Sequence, residues 1–435
     1  MDKKWGYLIH LSTNMWYDGA PESYRSDYVK IRALSPRLLC DDECWRQVTD
    51  QLSWAGANML LVDVGDGVRL ASHPELALEG SWSAERLQRE LARLRGMGFE
   101  VIPKLNFSTT HDSWLKEYHR QVSTPDYYRV CEDVIREVAE LFGHPRFMHI
   151  GMDEERPGFG RFNNFCVFRQ GELWWNDFLK IVGWVEACGM RPMSWSTTMR
   201  HSPDYVRHTP KSVILCVGEA SYRPVPLDAK GPCLDFALDA AKNGYDLFFY
   251  GSNWASDENF RDIVAWSRAY VSDDRVVGYI MAPWVRTLPQ FRRQSQRAIN
   301  YLEDAMLQCG AKQPPLGIRP AFAAWFLDKD GKNVIEYKYP EDRMRLNAGE
   351  TLVLDFGVGA EHPVLDTMVG TPTTIRLRTA NTLEGRKPVF LPGSSTAECR
   401  PSEDRSEPTS PLPPGRYLAV SCDKQVNFTK IAVRA

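Results

Sequence analysis

Eight short runs of aliphatic, β-branched and aromatic residues, seven of them followed by a longer stretch with helical spacing of its apolar positions, organise the chain from residue 6 to residue 282. The runs are Gly6–Ser12, Met59–Val64, Val101–Phe107, Phe147–Gly151, Pro192–Ser196, Val213–Val217, Leu247–Gly251 and Val277–Ala282. Helical periodicity is read over Glu43–Ala55, Ala84–Gly96, Pro125–Leu141, Gly171–Cys188, Asp235–Asn243, Glu258–Val271 and Pro289–Cys309. Ser83 stands as an N-cap before one apolar run, and Gly96 and Gly98 close that helix. Strands separated by helices pair in parallel, because the crossover brings each strand back in the same direction. Eight such units with no glycine-rich phosphate turn after the first run predict an α/β fold, a closed (β/α)8 TIM barrel rather than an open doubly wound sheet.

Beyond residue 312 the helical spacing stops, and short runs at Ala321–Leu327, Val334–Tyr339, Thr351–Phe356, Thr374–Arg378, Arg416–Ser421 and Lys430–Val433 alternate with turns. This predicts a second domain over 313–435, a smaller C-terminal antiparallel β-sandwich-like unit after a barrel over 1–312, with Gln313-Pro314-Pro315 as the junction. The Ser-, Pro- and Glu-rich stretch Pro392–Pro414 reads as a flexible loop, and Trp325, Tyr337 and Tyr339 as core. Three roles are open to this domain: glycan binding, shielding the barrel's side, or assembly of a homo-oligomer.

The 53 basic and 56 acidic residues leave a net charge of −3, which supplies no basic footprint for nucleic acid. No apolar stretch is long enough for a membrane span. Met1–Trp5 runs directly into the first strand, which is too short and too strand-like for a signal peptide. A cytoplasmic location is expected of the chain as it stands, and a secreted or periplasmic one if a leader has been removed. The ten cysteines show no CxxC pair and read as free thiols, although Cys40 with Cys44, or Cys399 with Cys422, leaves room for a bridge.

In such a barrel chemistry gathers where strands end and βα loops begin. Those positions hold Ser12, Thr13, Asn14 and Trp16, then Asp63 and Asp66, then Asn106, Ser108 and His111. The fourth strand ends in three consecutive carboxylates, Asp153-Glu154-Glu155. Like charges in one site push one pKa upward, which is what a general acid for a glycosidic oxygen requires. Trp195, Glu219, Tyr250, Asn253, Trp254, Trp284 and Arg286 follow at later strand ends. Several indoles there could wall a sugar-sized pocket, since the CH-rich face of a pyranose packs on aromatic rings. No HxH, HExxH or GxSxG pattern is present, His149 reads as a core histidine, and a cation site made from Asp63, Asp66 and Asp153 is the weaker alternative.

The run His149-Ile150-Gly151-Met152-Asp153-Glu154 resembles the His-x-Gly-Gly-Asp-Glu strand of glycoside hydrolase family 20, the β-N-acetylhexosaminidases. His73-Pro74-Glu75-Leu76, Gly80-Ser81-Trp82-Ser83 and Gly98-Phe99-Glu100-Val101-Ile102-Pro103 are similar to a second segment of that family, in the same order. The resemblance spans residues 5–290 and implies a barrel acting on carbohydrate, with no cofactor. It implies that Glu154 is the general acid/base and that Asp153 orients the substrate's own 2-acetamido group as nucleophile. It further implies sugar-binding positions at Trp195, Trp284, His111 and Tyr250 or Trp254.

The sequence also departs from the pattern. No arginine ends the first strand, where Thr13 stands; Trp284-Val285-Arg286 replaces a "WxE", and Pro103-Lys104-Leu105-Asn106 replaces a "PE(I/L)D". If Lys104 and Arg286 both point inward, they suit a sugar bearing a carboxylate or sulfate. Two other readings stay open: a two-carboxylate glycosidase with Glu155, Glu219 or Asp63 as the second acid, and a barrel that binds carbohydrate without turning it over.

Overall fold

The computed structural model describes residues 3–25, 27–219, 222–309, 319–320, 323–331, 333–334, 344–356, 362–369, 371–385, 387–401, 405–406 and 408–434. Two compact units are present: Met1–Leu288 with Tyr301–Gly310, and Pro289–Asn300 with Ala311–Ala435. The expected junction Gln313–Pro315 and the aromatics Tyr337 and Tyr339 lie outside the described residues.

The first unit is a closed parallel barrel whose strands follow chain order: β1 Lys4–His10, β2 Met59–Asp63, β3 Glu100–Lys104, β4 Phe147–His149, β5 Arg191–Trp195, β6 Ile214–Val217, β7 Leu247–Gly251 and β8 Val276–Met281. All eight expected strands form, within a few residues of the bounds read from sequence. The helices between them are those the periodicity requires, and their ends show why they start where they do. Asp41 accepts a hydrogen bond from the Cys44 amide at 2.8 Å, Ser83 from Arg86 at 3.2 Å and Thr124 from Tyr127 at 3.3 Å, each satisfying an amide of a first helical turn. Among the described residues no helix is long and apolar enough to cross a membrane. All ten cysteines are free thiols, so neither conceivable bridge forms.

Strand alternation decides what fills the barrel. Leu8, Leu61, Ile102, Phe147, Met193, Ile214, Phe248 and Ile280 pack together in its interior. Two residues farther along each strand, the same inward direction carries His10, Asp63, Lys104, His149, Trp195, Cys216, Tyr250 and Ala282. The apolar plug therefore gives way, toward the strands' C-terminal ends, to a layer that is charged on one side and aromatic on the other. On the charged side the register pairs His10 with Asp63, Asp63 with Lys104 and Lys104 with His149. Lys104 Nζ donates to Asp63 Oδ2 at 2.7 Å, and His10 Nδ1 lies 3.1 Å from the same oxygen. All three residues are buried. Burial pushes the Asp63 carboxyl upward, but the Lys104 ammonium and the His10 hydrogen bond outweigh it and hold it below the ordinary carboxylate value.

The second unit has two antiparallel sheets, one of seven strands and one of five. Phe326, Leu352, Leu354, Leu377 and Val420 of the larger meet Leu346, Leu365, Val426, Phe428 and Ile431 of the smaller in a shared core, as expected of a sandwich. The stretch Pro392–Pro414, expected as a loop, instead contains strand Ser395–Cys399, paired with Thr373–Leu377. Its alternation is the reason: Ala397, Cys399 and, farther on, Leu412 are buried, while polar neighbours face out.

The Asp63–Lys104 pair yields a stability prediction. Asp63→Asn leaves an ammonium in the barrel without its carboxylate and is expected to lower stability by about 3–5 kcal/mol, read from the urea unfolding midpoint. Adding Lys104→Met, which removes the stranded charge, is expected to restore much of that loss.

Candidate active site

A cavity of about 310 Å³ opens at the C-terminal end of the barrel, a volume in the range of small-ligand pockets. Its polar lining includes Asn106, His111, Asp153 and Glu154, and its aromatic lining Trp195, Tyr222, Trp254 and Trp284.

The backbone after β4 turns both carboxylates into this cavity. Gly151, Met152 and Glu154 have φ values of 70°, 64° and 59°, in the left-handed region that non-glycine residues seldom occupy. At Gly151 a side chain is sterically impossible as well, because a Cβ there would lie 2.0 Å from Asn106 Oδ1. That oxygen accepts hydrogen bonds from the Ser108 amide at 3.0 Å and the Met152 amide at 3.3 Å, while Asn106 Nδ2 donates to Asp153 Oδ1 at 2.9 Å. Ser108 Oγ and Thr110 Oγ1 both donate to the Asp153 carbonyl. One asparagine thus fixes the turn and aims the first carboxylate. Of the seven described non-glycine residues with positive φ, three, Glu154, Tyr222 and Trp284, line the cavity, and strain of this kind persists where surrounding structure enforces it.

His111 faces both acids, with Nδ1 at 3.9 Å from Asp153 Oδ1 and Nε2 at 3.6 Å from Glu154 Oε2. Thr110 Oγ1, 2.8 Å from Nδ1, orients the ring. Burial lowers the His111 pKa, so the ring is neutral near neutrality. Burial and then the Asp153 charge push the Glu154 carboxyl up to about 8. At pH 7 Glu154 carries a proton beside a neighbour poised to attract positive charge. Ligand atoms of His111, Asp153 and Glu154 also lie within 4.8 Å of one another, a spacing that a divalent cation could bridge once Glu154 is ionised.

The other expected site residues divide. Asn106, His111, Trp195, Trp254 and Trp284 border the cavity with the two acids. Tyr250 lies behind this wall, its ring 4.7 Å from that of Trp195. Glu155, expected beside its two predecessors, is turned into the protein: Arg169 grips both its oxygens, with Nε at 3.1 Å from Oε2, and the Thr109 amide donates to it at 3.1 Å. The third carboxylate of the run is thus a structural ion pair, because the left-handed residue before it reverses the direction of the chain. Glu219 accepts from the Arg223 amide at 3.1 Å and is not part of the lining. Arg286, expected to point inward, donates Nη2 to the Ala33 carbonyl at 3.1 Å and does not line the cavity. Lys104 does line it, held by Asp63. The alternative cation set is not assembled: Asp63 is engaged by Lys104, and Asp66 by Ser12 and Asn14.

Arg32, Met15, Tyr17, Tyr222 and Phe159 also line the cavity and escaped the sequence reading. They sit in long loops after β1, β4 and β6, where no periodicity marks a residue's direction.

No family model matches the chain, and no curated protein does. Solved structures do. It is similar to the exo-β-N-acetylglucosaminidase of Vibrio harveyi at 13% identity, covering 70% of this chain and 54% of that one with a TM-score of 0.49. It is similar to the β-N-acetylhexosaminidase of Streptomyces coelicolor at 15% identity, over 69% and 63% with a TM-score of 0.48. The enzyme of Bacteroides fragilis matches at 14% identity, over 70% and 65% with a TM-score of 0.49. These structural neighbours are glycoside hydrolase family 20 β-N-acetylhexosaminidases. The chain spans between half and two thirds of the length of each, and at such identity the likeness is one of fold.

The coupling between the two acids can be read directly. In a carbon-13 NMR titration of labelled glutamate, Glu154 is expected to titrate with a midpoint near 8, and Asp153→Asn, which removes the repelling charge, to move that midpoint down. Because the folded value lies above the ordinary 4.5, the folded state binds the extra proton and its stability falls as pH rises from 4.5 toward 8. Glu154→Gln is expected to flatten that slope in urea unfolding.

Proposed function

We propose that this protein is a retaining, exo-acting glycosidase that removes terminal β-linked N-acetylhexosamine by substrate-assisted catalysis. The observation that carries this reading is the sorting of the carboxylates. Of the acids considered for a second catalytic role, Glu155 and Asp63 are locked in buried ion pairs and Glu219 lies off the lining, whereas Asp153 and Glu154 share the cavity. A mechanism with one acid/base, one charge-stabilising partner and a nucleophile from the substrate needs only those two.

In this reading the protonated Glu154 donates to the glycosidic oxygen as the bond to the anomeric carbon breaks. The carbonyl oxygen of the sugar's 2-acetamido group attacks that carbon from the opposite face, closing a five-membered ring. Asp153, fixed by Asn106, accepts the acetamido N–H and offsets the positive charge that develops on the ring. Glu154, now a carboxylate, takes a proton from a water that attacks the same carbon and displaces the acetamido oxygen, reopening the ring and restoring the acetamido group, and two inversions give net retention. The indoles of Trp195, Trp254 and Trp284 supply flat walls for the pyranose. Among the described residues Trp284 Nε1 is buried without a hydrogen-bond partner, a donor left for a sugar oxygen.

Hydrolysis of nitrophenyl glycosides tests the reading. The β-N-acetyl sugars are expected to be cleaved and the matching 2-hydroxy sugars not, and Glu154→Gln is expected to lose about 10² to 10⁴ in kcat. The rate on the wild type is expected to fall as pH rises through about 8, where Glu154 gives up the proton it must donate. Equal cleavage of sugars with and without the acetamido group would sink the substrate-assisted mechanism.

A further inference from the structure

His111, Asp153 and Glu154 form a set that the glycosidase reading uses only in part. A ligand atom of each lies within 4.8 Å of those of the other two, and all three residues line the cavity. His111 is 8% exposed, and its Nε2 faces Glu154 Oε2 across 3.6 Å. Among the described residues neither of those two atoms has a hydrogen-bond partner. The imidazole is fixed from its other side. Thr110 Oγ1 spends its proton on the Asp153 carbonyl, so toward His111 Nδ1, 2.8 Å away, it accepts. Nδ1 therefore carries the ring proton and Nε2 the lone pair, which is the tautomer a metal-bound histidine needs and the way an outer partner sets it. Asp153 is held in the same manner, at Oδ1 by Asn106 Nδ2 at 2.9 Å, with no hydrogen bond on Oδ2 among the described residues.

The spacing decides which ion the set suits. A tetrahedral Zn²⁺ with bonds of about 2.0–2.2 Å keeps its ligand atoms about 3.3–3.6 Å apart. The separation of His111 Nε2 from Glu154 Oε2 already has that value, and the widest separation in the set exceeds it by no more than about 1.5 Å, within reach of a side-chain rotation. Three protein ligands that border a cavity leave a fourth position open to water. One imidazole beside two carboxylates favours Zn²⁺ over Mg²⁺ or Ca²⁺, which take oxygen ligands.

We propose that His111, Asp153 and Glu154 bind Zn²⁺ and that the bound ion holds the glycosidase off. Coordination replaces the Glu154 proton, which passes to solvent, so the loaded protein has no acid to offer the glycosidic oxygen, and it also engages the carboxylate that would meet the acetamido group. The inhibition rests on the glycosidase reading; the binding stands without it.

Isothermal titration of the metal-free protein with Zn²⁺ is expected to show one equivalent bound at this site. Its Kd is expected to equal the inhibition constant for hydrolysis of 4-nitrophenyl N-acetyl-β-glucosaminide, and EDTA to restore the rate. Co²⁺ in place of Zn²⁺ reports the ligands: a visible d–d absorption is expected without the near-ultraviolet thiolate charge-transfer band, which separates this site from binding at the ten free cysteines. His111→Gln and Glu154→Gln each exchange a ligand for a poorly coordinating amide and are expected to weaken Zn²⁺ by more than about tenfold, since losing even an outer partner costs that much. Thr110→Val, which removes such a partner, is expected to cost about tenfold. Thermal melts without metal report folding, and Zn²⁺ is expected to raise the melting temperature of the wild type and not of His111→Gln. Absence of binding, binding that survives in both glutamine variants, or a thiolate band overturns the proposal. Bound Zn²⁺ that leaves the rate unchanged or raises it overturns the inhibition. If the probe is not hydrolysed even without metal, the glycosidase reading fails, and the titration and the Co²⁺ spectrum decide the site by themselves.

Discussion

The contact between Asn106 and the backbone of Gly151 sets the geometry on which the rest of the site depends. The amide oxygen of Asn106 occupies the volume that a side chain at position 151 would need, and from there it collects amides of two segments. Its other end meets Asp153. A residue at the end of β3 is thereby coupled to the loop after β4, and the left-handed conformations of Met152 and Glu154 are held by bonds rather than left to the chain's own preferences. The same turn that brings Asp153 and Glu154 to the cavity sends Glu155 the other way, into the grip of Arg169. The backbone separates Glu155 from the other two, and the proton on Glu154 keeps the pair that remains together from carrying two like charges.

The layer below serves a different purpose with the same economy of direction. An apolar barrel interior could not place a lysine and an aspartate next to the cavity unless each neutralised the other, and the parallel register of β2 and β3 puts Asp63 opposite Lys104 to do so. His10 adds a hydrogen bond to the same carboxylate, and burial lowers its pKa, so the cluster holds one ion pair rather than a surplus cation. The positive charge of Lys104 also lowers the neighbouring His149, already pushed well down by burial. The cavity rests on a polar layer whose charges are balanced before any ligand arrives.

The barrel was legible in the sequence because its signal is repeated. Eight apolar strand runs recur with helical spacing between most of them, and the cap at Ser83 marks one helix start. Asp153 and Glu154 were legible because a dense acidic run at the end of an apolar strand is unusual enough to need a reason. Residues whose direction depends on one backbone torsion were not: Glu155 sits one position beyond Glu154, and the acidic run by itself does not show that the two point in different directions. Arg286 was misplaced for the same reason, since it follows Trp284, whose φ is 56°. The missed residues belong to loops, and Arg32 lies some twenty positions past the end of β1, with only its neighbours in space to show that it faces the cavity.

These two failures are connected. The sequence suggested cations near the site and named Lys104 and Arg286, which have their strongest contacts elsewhere: Asp63 for one, the Ala33 carbonyl for the other. Yet the contact that turns Arg286 aside is made to the residue following Arg32, so the same hydrogen bond helps hold the loop that delivers Arg32 to the cavity. Positive charge at this wall is therefore a property of the loop packing rather than of any single strand-end position. A substitution read as the loss of a sugar-binding acid at the end of β8 becomes, in the folded chain, a support for a cation carried by another element. The acids at one part of the cavity and the Arg32 guanidinium held by the indoles of Trp16 and Trp254 at another are then parts of one polarised site, and the pocket's chemistry is set as much by what its strand-end residues hold in place as by what they touch.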